Sequence, residues 1–151
     1  MKRKILKSKK FPIYHYSTTI SGKKISRDIV HRPNVSAIIA FKNNKILVVS
    51  QNRFPNETDI EIPSGNIEKN ESPIQAAHRE FLEETGYQAK EMIPLVSFYT
   101  TIGYSTQKIF CFVAKDFNTG HGPAEWFAAT PPRALKDHIR HVLAAEAFGA
   151  S

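Results

Sequence analysis

The sequence predicts a mixed α/β fold of the α+β type, and three observations carry the prediction. Short runs of aromatic and β-branched residues, broken by turn residues, fill the first sixty positions and recur between Met92 and Ala114. The stretch from Ser72 to Gly86 carries a full set of helix start and stop signals. From Gly120 onward the chain turns alanine-rich and closes with helical spacing from about Arg133 to Phe148.

Taken in order, Met1 to Lys10 is a basic segment that reads most simply as a solvated tail. Phe11 to Thr19 and Lys24 to Val30 read as two antiparallel strands joined at Ser21-Gly22. After Pro33, the mostly apolar Val35 to Phe41 suits a strand buried on both faces. Asn43-Asn44 suits a tight hairpin, because asparagine tolerates positive φ, and Ile46 to Val49 is the returning strand. Asn52 to Thr58 reads as a loop, Asp59 to Ile62 as a short strand and Pro63 to Gly65 as a turn. Ser72 then caps a helix with Pro73 in its first position and Gln75 completing a capping box, and Gly86 stops it. Ile74, Ala77, Phe81 and in part His78 form its apolar stripe. Met92 to Thr101 and Gln107 to Ala114 read as two further strands around a turn at Ile102 to Ser105.

At 151 residues the chain suits one domain with a proper core, and no apolar run approaches the length needed to cross a bilayer. A single cysteine, Cys111, excludes an internal disulfide framework and cysteine-rich zinc sites, and its apolar neighbours suggest a buried, inert thiol. With no secretory signal in view, a cytoplasmic location is the default expectation. The net charge of +7 favours anionic partners. Nine of the fourteen acidic residues nevertheless lie between Glu57 and Glu91, which points to a cation site set among groups that attract anions. Glu80, Glu83 and Glu84 are the core of that concentration. At about 100° per residue they share one narrow arc of the helix, where like charges repel unless a cation sits among them. His138 and His141, three apart near the end, lack a third ligand nearby and read as a stray helical pair.

From Gly65 to Tyr87 the pattern is Gly, five residues, Glu71, seven residues, then Arg79-Glu80-Phe-Leu-Glu83-Glu84-Thr-Gly86-Tyr87. This resembles, at every defining position, the box of the Nudix hydrolases, and the resemblance extends over roughly residues 11 to 117. It implies a mixed β-sheet sandwiched between helices, here preceded by a small N-terminal antiparallel sheet. It also implies hydrolysis of a nucleoside diphosphate linked to a further group, with Mg2+ or Mn2+. By the same resemblance Glu80 and Glu84 are the principal metal ligands, Glu83 shares a further ion, and the backbone carbonyl of Ser64 is another ligand. Arg79 and Glu71 pair to hold the loop against the helix. Gly65 and Gly86 are expected to supply conformations that a side chain would hinder.

The N-terminal strands, the segment Val48 to Pro55 and the segment Ile60 to Gly65 are together similar to the ADP-ribose pyrophosphatase branch. That similarity implies a nucleotide-sugar substrate, a homodimer built through exchanged N-terminal sheets, and substrate contacts from Arg53, Glu61 and Tyr14. No membrane partner is implied and nucleic acid is not the expected ligand. Residues 1–32 would then be a basic tail and strands serving the dimer and the substrate, and 33–151 the catalytic domain. Two departures stand out: Ile102 occupies a place where the branch usually carries proline, and the chain from Gly120 fits the family poorly. Among the later acids Glu125 is the candidate for the catalytic base, beside Glu83 and Glu84. Rival expectations are a Nudix hydrolase of dinucleoside polyphosphates or nucleoside triphosphates, and a nucleotide- or RNA-binding module with weak turnover.

Overall fold

The computed structural model describes residues 2–7, 10–55, 58–118 and 122–128. The expected C-terminal helix, with His138 and His141, lies outside them. In chain order the elements are β1 (Lys2–Lys7), β2 (Pro12–Ile20), β3 (Lys23–Val30), β4 (Val35–Lys42), β5 (Lys45–Asn52), β6 (Thr58–Glu61) and β7 (Ser64–Asn66). They continue with α1 (Pro73–Thr85), β8 (Ala89–Tyr99), β9 (Lys108–Phe117) and β10 (Glu125–Ala128).

Among the described residues the strands form two sheets, a three-stranded one ordered β1-β2-β3 and a seven-stranded mixed one. In the larger sheet the path is β10-β5-β4-β9-β8, with β6 paired to β5 and β7 to β4. β4 and β9 run parallel, Ala37 opposite Cys111 and Ile39 opposite Val113, and every other pair is antiparallel. Central placement explains the apolar run of β4: Ala37, Ile38 and Ala40 are buried. The hairpin at Asn43-Asn44 forms as expected, with φ of 51° and 60°, the positive values asparagine tolerates.

Three elements differ from the sequence expectation. Lys2–Lys7, read as part of a solvated tail, pairs with β2 as strand β1, because the ladder offered by β2 satisfies its backbone N–H and C=O groups. Ser64–Asn66, which overlaps the turn expected at Pro63 to Gly65, pairs with β4, and Glu125–Ala128 adds β10 to the edge of β5. The N-terminal sheet is joined to the main domain beyond the chain itself. The Val30 N–H donates to the Tyr104 carbonyl at 2.8 Å, and the Thr106 N–H to the Val30 carbonyl at 3.1 Å. Among the described residues no helix is long and apolar enough to cross a membrane.

The main core gathers Ile38, Ala40, Leu47, Ala77, Phe81, Met92, Phe112 and Ala114. Trp126 of β10 closes its edge, stacked on Phe117 and donating from its ring N–H to the Tyr87 hydroxyl at 3.0 Å. Cys111 is buried as expected, and burial pushes its thiol pKa up.

Candidate active site

Helix α1 begins as the sequence prescribes. The Ser72 hydroxyl accepts from the Gln75 N–H at 3.4 Å and the Gln75 side chain accepts from the Ser72 N–H at 2.9 Å, which closes the capping box. Gly86 ends the helix at φ 70° and donates its N–H to the Leu82 carbonyl at 2.8 Å. The buried face is Ala76, Ala77, Phe81 and Thr85; Ile74 is 40% exposed and so falls outside the expected stripe. Phe81 is the anchor, fully buried and edge-on to Phe117 at 5.9 Å between ring centres. With Phe81 inward, Glu80 reaches Gly65, Glu84 reaches Ser64 and the end of β5, and the more exposed Glu83 accepts from Arg79.

Arg79 is the hub of the first group. Its Nε and Nη2 grip the two oxygens of Glu71 at 2.8 and 2.9 Å, and Nη2 also donates to the Asn66 carbonyl at 3.0 Å. Nη1 donates to Glu80 at 2.7 Å and to Glu83 at 3.2 Å. These five bonds use the five N–H donors of the guanidinium, so loop and helix are tied through one planar group. The Arg79 fork, helped by the Glu68 N–H, holds the Glu71 carboxyl at about 2, well below its ordinary range. The same carboxylates raise the pKa of Arg79. The supporting pair implied by the resemblance is present in the structure.

Glu80 and Glu84 converge on Ser64 and Gly65. A Cβ on Gly65 would lie 1.9 Å from the Glu80 carboxyl carbon, so the glycine is there for close approach. Its φ is not positive, unlike that of Gly86, so the expectation of a special backbone conformation holds for Gly86 and not for Gly65. Glu84 accepts from the Ser64 N–H at 2.9 Å and from Gln51 Nε2 at 2.6 Å. Burial raises its pKa above the usual carboxylate value and the nearby Glu80 adds to that, while the two hydrogen bonds and Arg53 oppose it.

The β5–β6 hairpin adds the second group. Arg53 forks onto Glu61 with two bonds of 2.8 Å, which raises the arginine pKa and lowers that of the carboxylate. The structure therefore joins two residues read separately as substrate contacts. Sequence reasoning assigns Gln51 no role; its place two residues before Arg53, at the end of β5, is the signal that points to it. Tyr14 sits on β2, its ring edge-on to His31 at 4.6 Å, and Tyr16 donates to or accepts from His31 Nε2 at 2.6 Å. Glu125 is exposed on β10 opposite Val48, and no hydrogen bond or ion pair of Glu80, Glu83 or Glu84 involves it.

Among the described residues no three His, Cys, Asp or Glu side chains are gathered closely enough to hold a metal ion as they stand. Each carboxylate of the helix takes a hydrogen-bond donor instead, which offsets their mutual repulsion. The donor set still fits a hard divalent cation. It offers carboxylate oxygens on one helix face, and Glu80 lies in a cradle over Gly65 that any Cβ would fill.

The NUDIX domain family model matches residues 30–138. The chain belongs to the Nudix family. Among curated proteins, this Nudix chain is 45% identical over 97 residues to a methanol dehydrogenase activator of Bacillus methanolicus, covering 63% of this chain and 52% of that protein. It is 40% identical over 100 residues to the ADP-ribose pyrophosphatase of Bacillus subtilis (strain 168), covering 65% and 54%. The chain thus spans about half the length of these relatives. A solved structure described as an ADP compounds hydrolase superposes with a TM-score of 0.75 at 17% identity, over 98% of this chain and 91% of that one, and supports the fold.

Proposed function

We propose that this Nudix chain hydrolyses a nucleoside diphosphate sugar with a divalent cation, Mg2+ or Mn2+, converting ADP-ribose to AMP and ribose 5-phosphate. One observation carries the reading. Glu80 and Glu84 converge on Ser64 and Gly65 of β7 while Gln51, two residues before Arg53, is hydrogen-bonded to Glu84, so acidic oxygens for a cation and a guanidinium for phosphate lie at the same end of β5. Glu80, Glu83, Glu84 and the Ser64 carbonyl are the groups that would hold the cation. When bound, it supplies charge neutralisation of the diphosphate and a lowered pKa for the attacking water.

The chain's own residues do the rest. Gln51 and the Ser64 N–H fix the Glu84 carboxylate against β5 and β7. Arg79 keeps the loop 66–71 seated on the helix. Arg53, preorganised by Glu61, meets the substrate phosphates, with Glu61 accepting from the same guanidinium. Tyr14 contributes through the N-terminal sheet, and Glu83, 57% exposed, and Glu125 are the solvent-facing carboxylates available to accept the proton of water. The similarity to an ADP-ribose pyrophosphatase supports the choice of substrate.

A homodimer belongs to the same reading. One face of the N-terminal sheet carries a groove of about 510 Å³ lined by Tyr16, Ile20, Ile25, Arg27 and Ile29, an apolar surface suited to a second copy of the chain. Sedimentation at micromolar concentration would show a dimer, and a monomer would reject this part. The reaction is tested with a panel of ADP-ribose, other nucleotide sugars, dinucleoside polyphosphates and nucleoside triphosphates in the presence of Mg2+. ADP-ribose is expected to be turned over best, with AMP and ribose 5-phosphate as products. A clear preference for triphosphates would reject the substrate assignment.

A further inference from the structure

Phe54 has no role in the chemistry described so far, yet its environment is unusual. It is 94% exposed, the most exposed of the large apolar side chains in the described residues, on the turn that follows β5. An aromatic ring left in water forgoes the burial that makes such residues rare at full exposure. Its place in the chain is specific: Arg53 precedes it directly, and Gln51, hydrogen-bonded to Glu84, lies three residues before it. Three residues of extended backbone span at most about 10 Å, so Phe54 lies on the turn at the same end of β5 from which Gln51 reaches Glu84. Arg53 lies between them along the chain, as a phosphate-binding group would between the diphosphate and the base. Ile60, on the paired strand β6 opposite Ser50, adds a second exposed apolar side chain to the same hairpin.

From this we infer that Phe54 is the platform on which the nucleobase of the substrate stacks, an inference that rests on the nucleotide reading given above. Tyr14, the aromatic residue named above as a substrate contact, has its ring packed edge-on against His31. A phenyl face offers no hydrogen-bond code, so it accepts any base and favours purines through their larger area. The selectivity it confers is for a nucleoside over a base-free sugar phosphate.

The test is calorimetric titration of AMP and of ribose 5-phosphate into the intact wild-type protein, Phe54→Ala and Phe54→Trp. Because the side chain is solvent-exposed, both variants should melt with the wild type. Phe54→Ala is expected to weaken AMP binding about tenfold or more, the range of one base–aromatic stack, and to leave ribose 5-phosphate unchanged. Phe54→Trp should retain AMP affinity. Unchanged AMP affinity in Phe54→Ala, or equal losses for both probes, would overturn the inference. So would a shift from dimer to monomer with AMP binding intact, which would assign the ring to a contact between copies. Binding of AMP needs no turnover, so failure to hydrolyse ADP-ribose would defeat the proposed reaction while leaving this result to stand or fall separately.

Discussion

Replacing Gly65 with alanine perturbs the candidate site through a single methyl group. Its Cβ would lie 1.9 Å from the carboxyl carbon and Oε1 of Glu80 and 2.2 Å from Oε2, whereas ordinary contact begins at 3.4 Å. The Glu80 carboxylate must therefore withdraw by roughly 1.5 Å. The fold can accommodate this. The clash is with the tip of a flexible side chain, the φ of Gly65 is one alanine accepts, and alanine reduces the entropy of the unfolded chain. We expect a stability change within about 1 kcal/mol. The site cannot absorb the shift so easily, because a 1 Å misplacement of reacting groups costs about 100-fold, or about 2.7 kcal/mol of barrier. Initial rates of ADP-ribose hydrolysis across a Mg2+ titration, with urea denaturation as the control, measure both quantities. A Gly65→Ala protein with wild-type turnover and Mg2+ dependence would refute the placement of Glu80 in the reaction.

Two further outcomes follow from the same geometry. The Glu71 carboxyl is held at about 2 against an ordinary 4.5, so its contribution to stability is present above pH 4.5 and is lost as the pH falls from there towards 2. Glu71→Gln should lower the urea midpoint near neutrality and flatten its fall between pH 5 and pH 3; an equal fall in both proteins would show that the Arg79 fork is not what titrates. Phe81→Ala removes a fully buried ring at the helix–sheet contact and should cost about 3–5 kcal/mol in urea denaturation, with a loss below 1 kcal/mol contradicting its role as the anchor of α1.

The parts of this protein that were legible in its sequence are those set by local chemistry. Ser72, Pro73, Gln75 and Gly86 specify where the helix begins and ends, because their side chains or φ angles act on the backbone beside them. Asn43 and Asn44 specify a hairpin in the same way. The spacing of Glu80, Glu83 and Glu84 puts three acids on one face whatever surrounds them. What stayed hidden depends on partners distant in the chain. Lys2–Lys7 looks like a solvated tail until β2 offers it a ladder of backbone bonds. Glu125–Ala128 is a strand only because β5 presents an edge. Ile74 keeps helical spacing with Ala77 and Phe81, yet the burial of Ala76 and Thr85 shows that the packed face is turned away from it.

Within the site the division is the same. Arg79 and Glu71, eight residues apart, were paired by resemblance, and the structure supplies the geometry. The grip of Gln51 on Glu84 spans thirty-three positions and could not be read from either residue alone. Gly65 was expected to serve backbone conformation, and only the three-dimensional approach of Glu80 shows that it serves space.

The central claim is that the helix carboxylates hold a divalent cation that drives hydrolysis, and Glu84 tests it most directly. Glu84→Gln retains an oxygen for the Ser64 N–H and an amide that Gln51 can meet by turning its own, while removing a charge that burial and Glu80 disfavour. Its melting temperature should match or exceed that of the wild type. In Mg2+-titrated hydrolysis of ADP-ribose, wild-type activity should rise with the cation and vanish with chelator. The variant should lose about 100- to 1000-fold, the several kcal/mol that cation-assisted stabilisation supplies. Wild-type turnover by Glu84→Gln at any Mg2+ concentration would contradict the account.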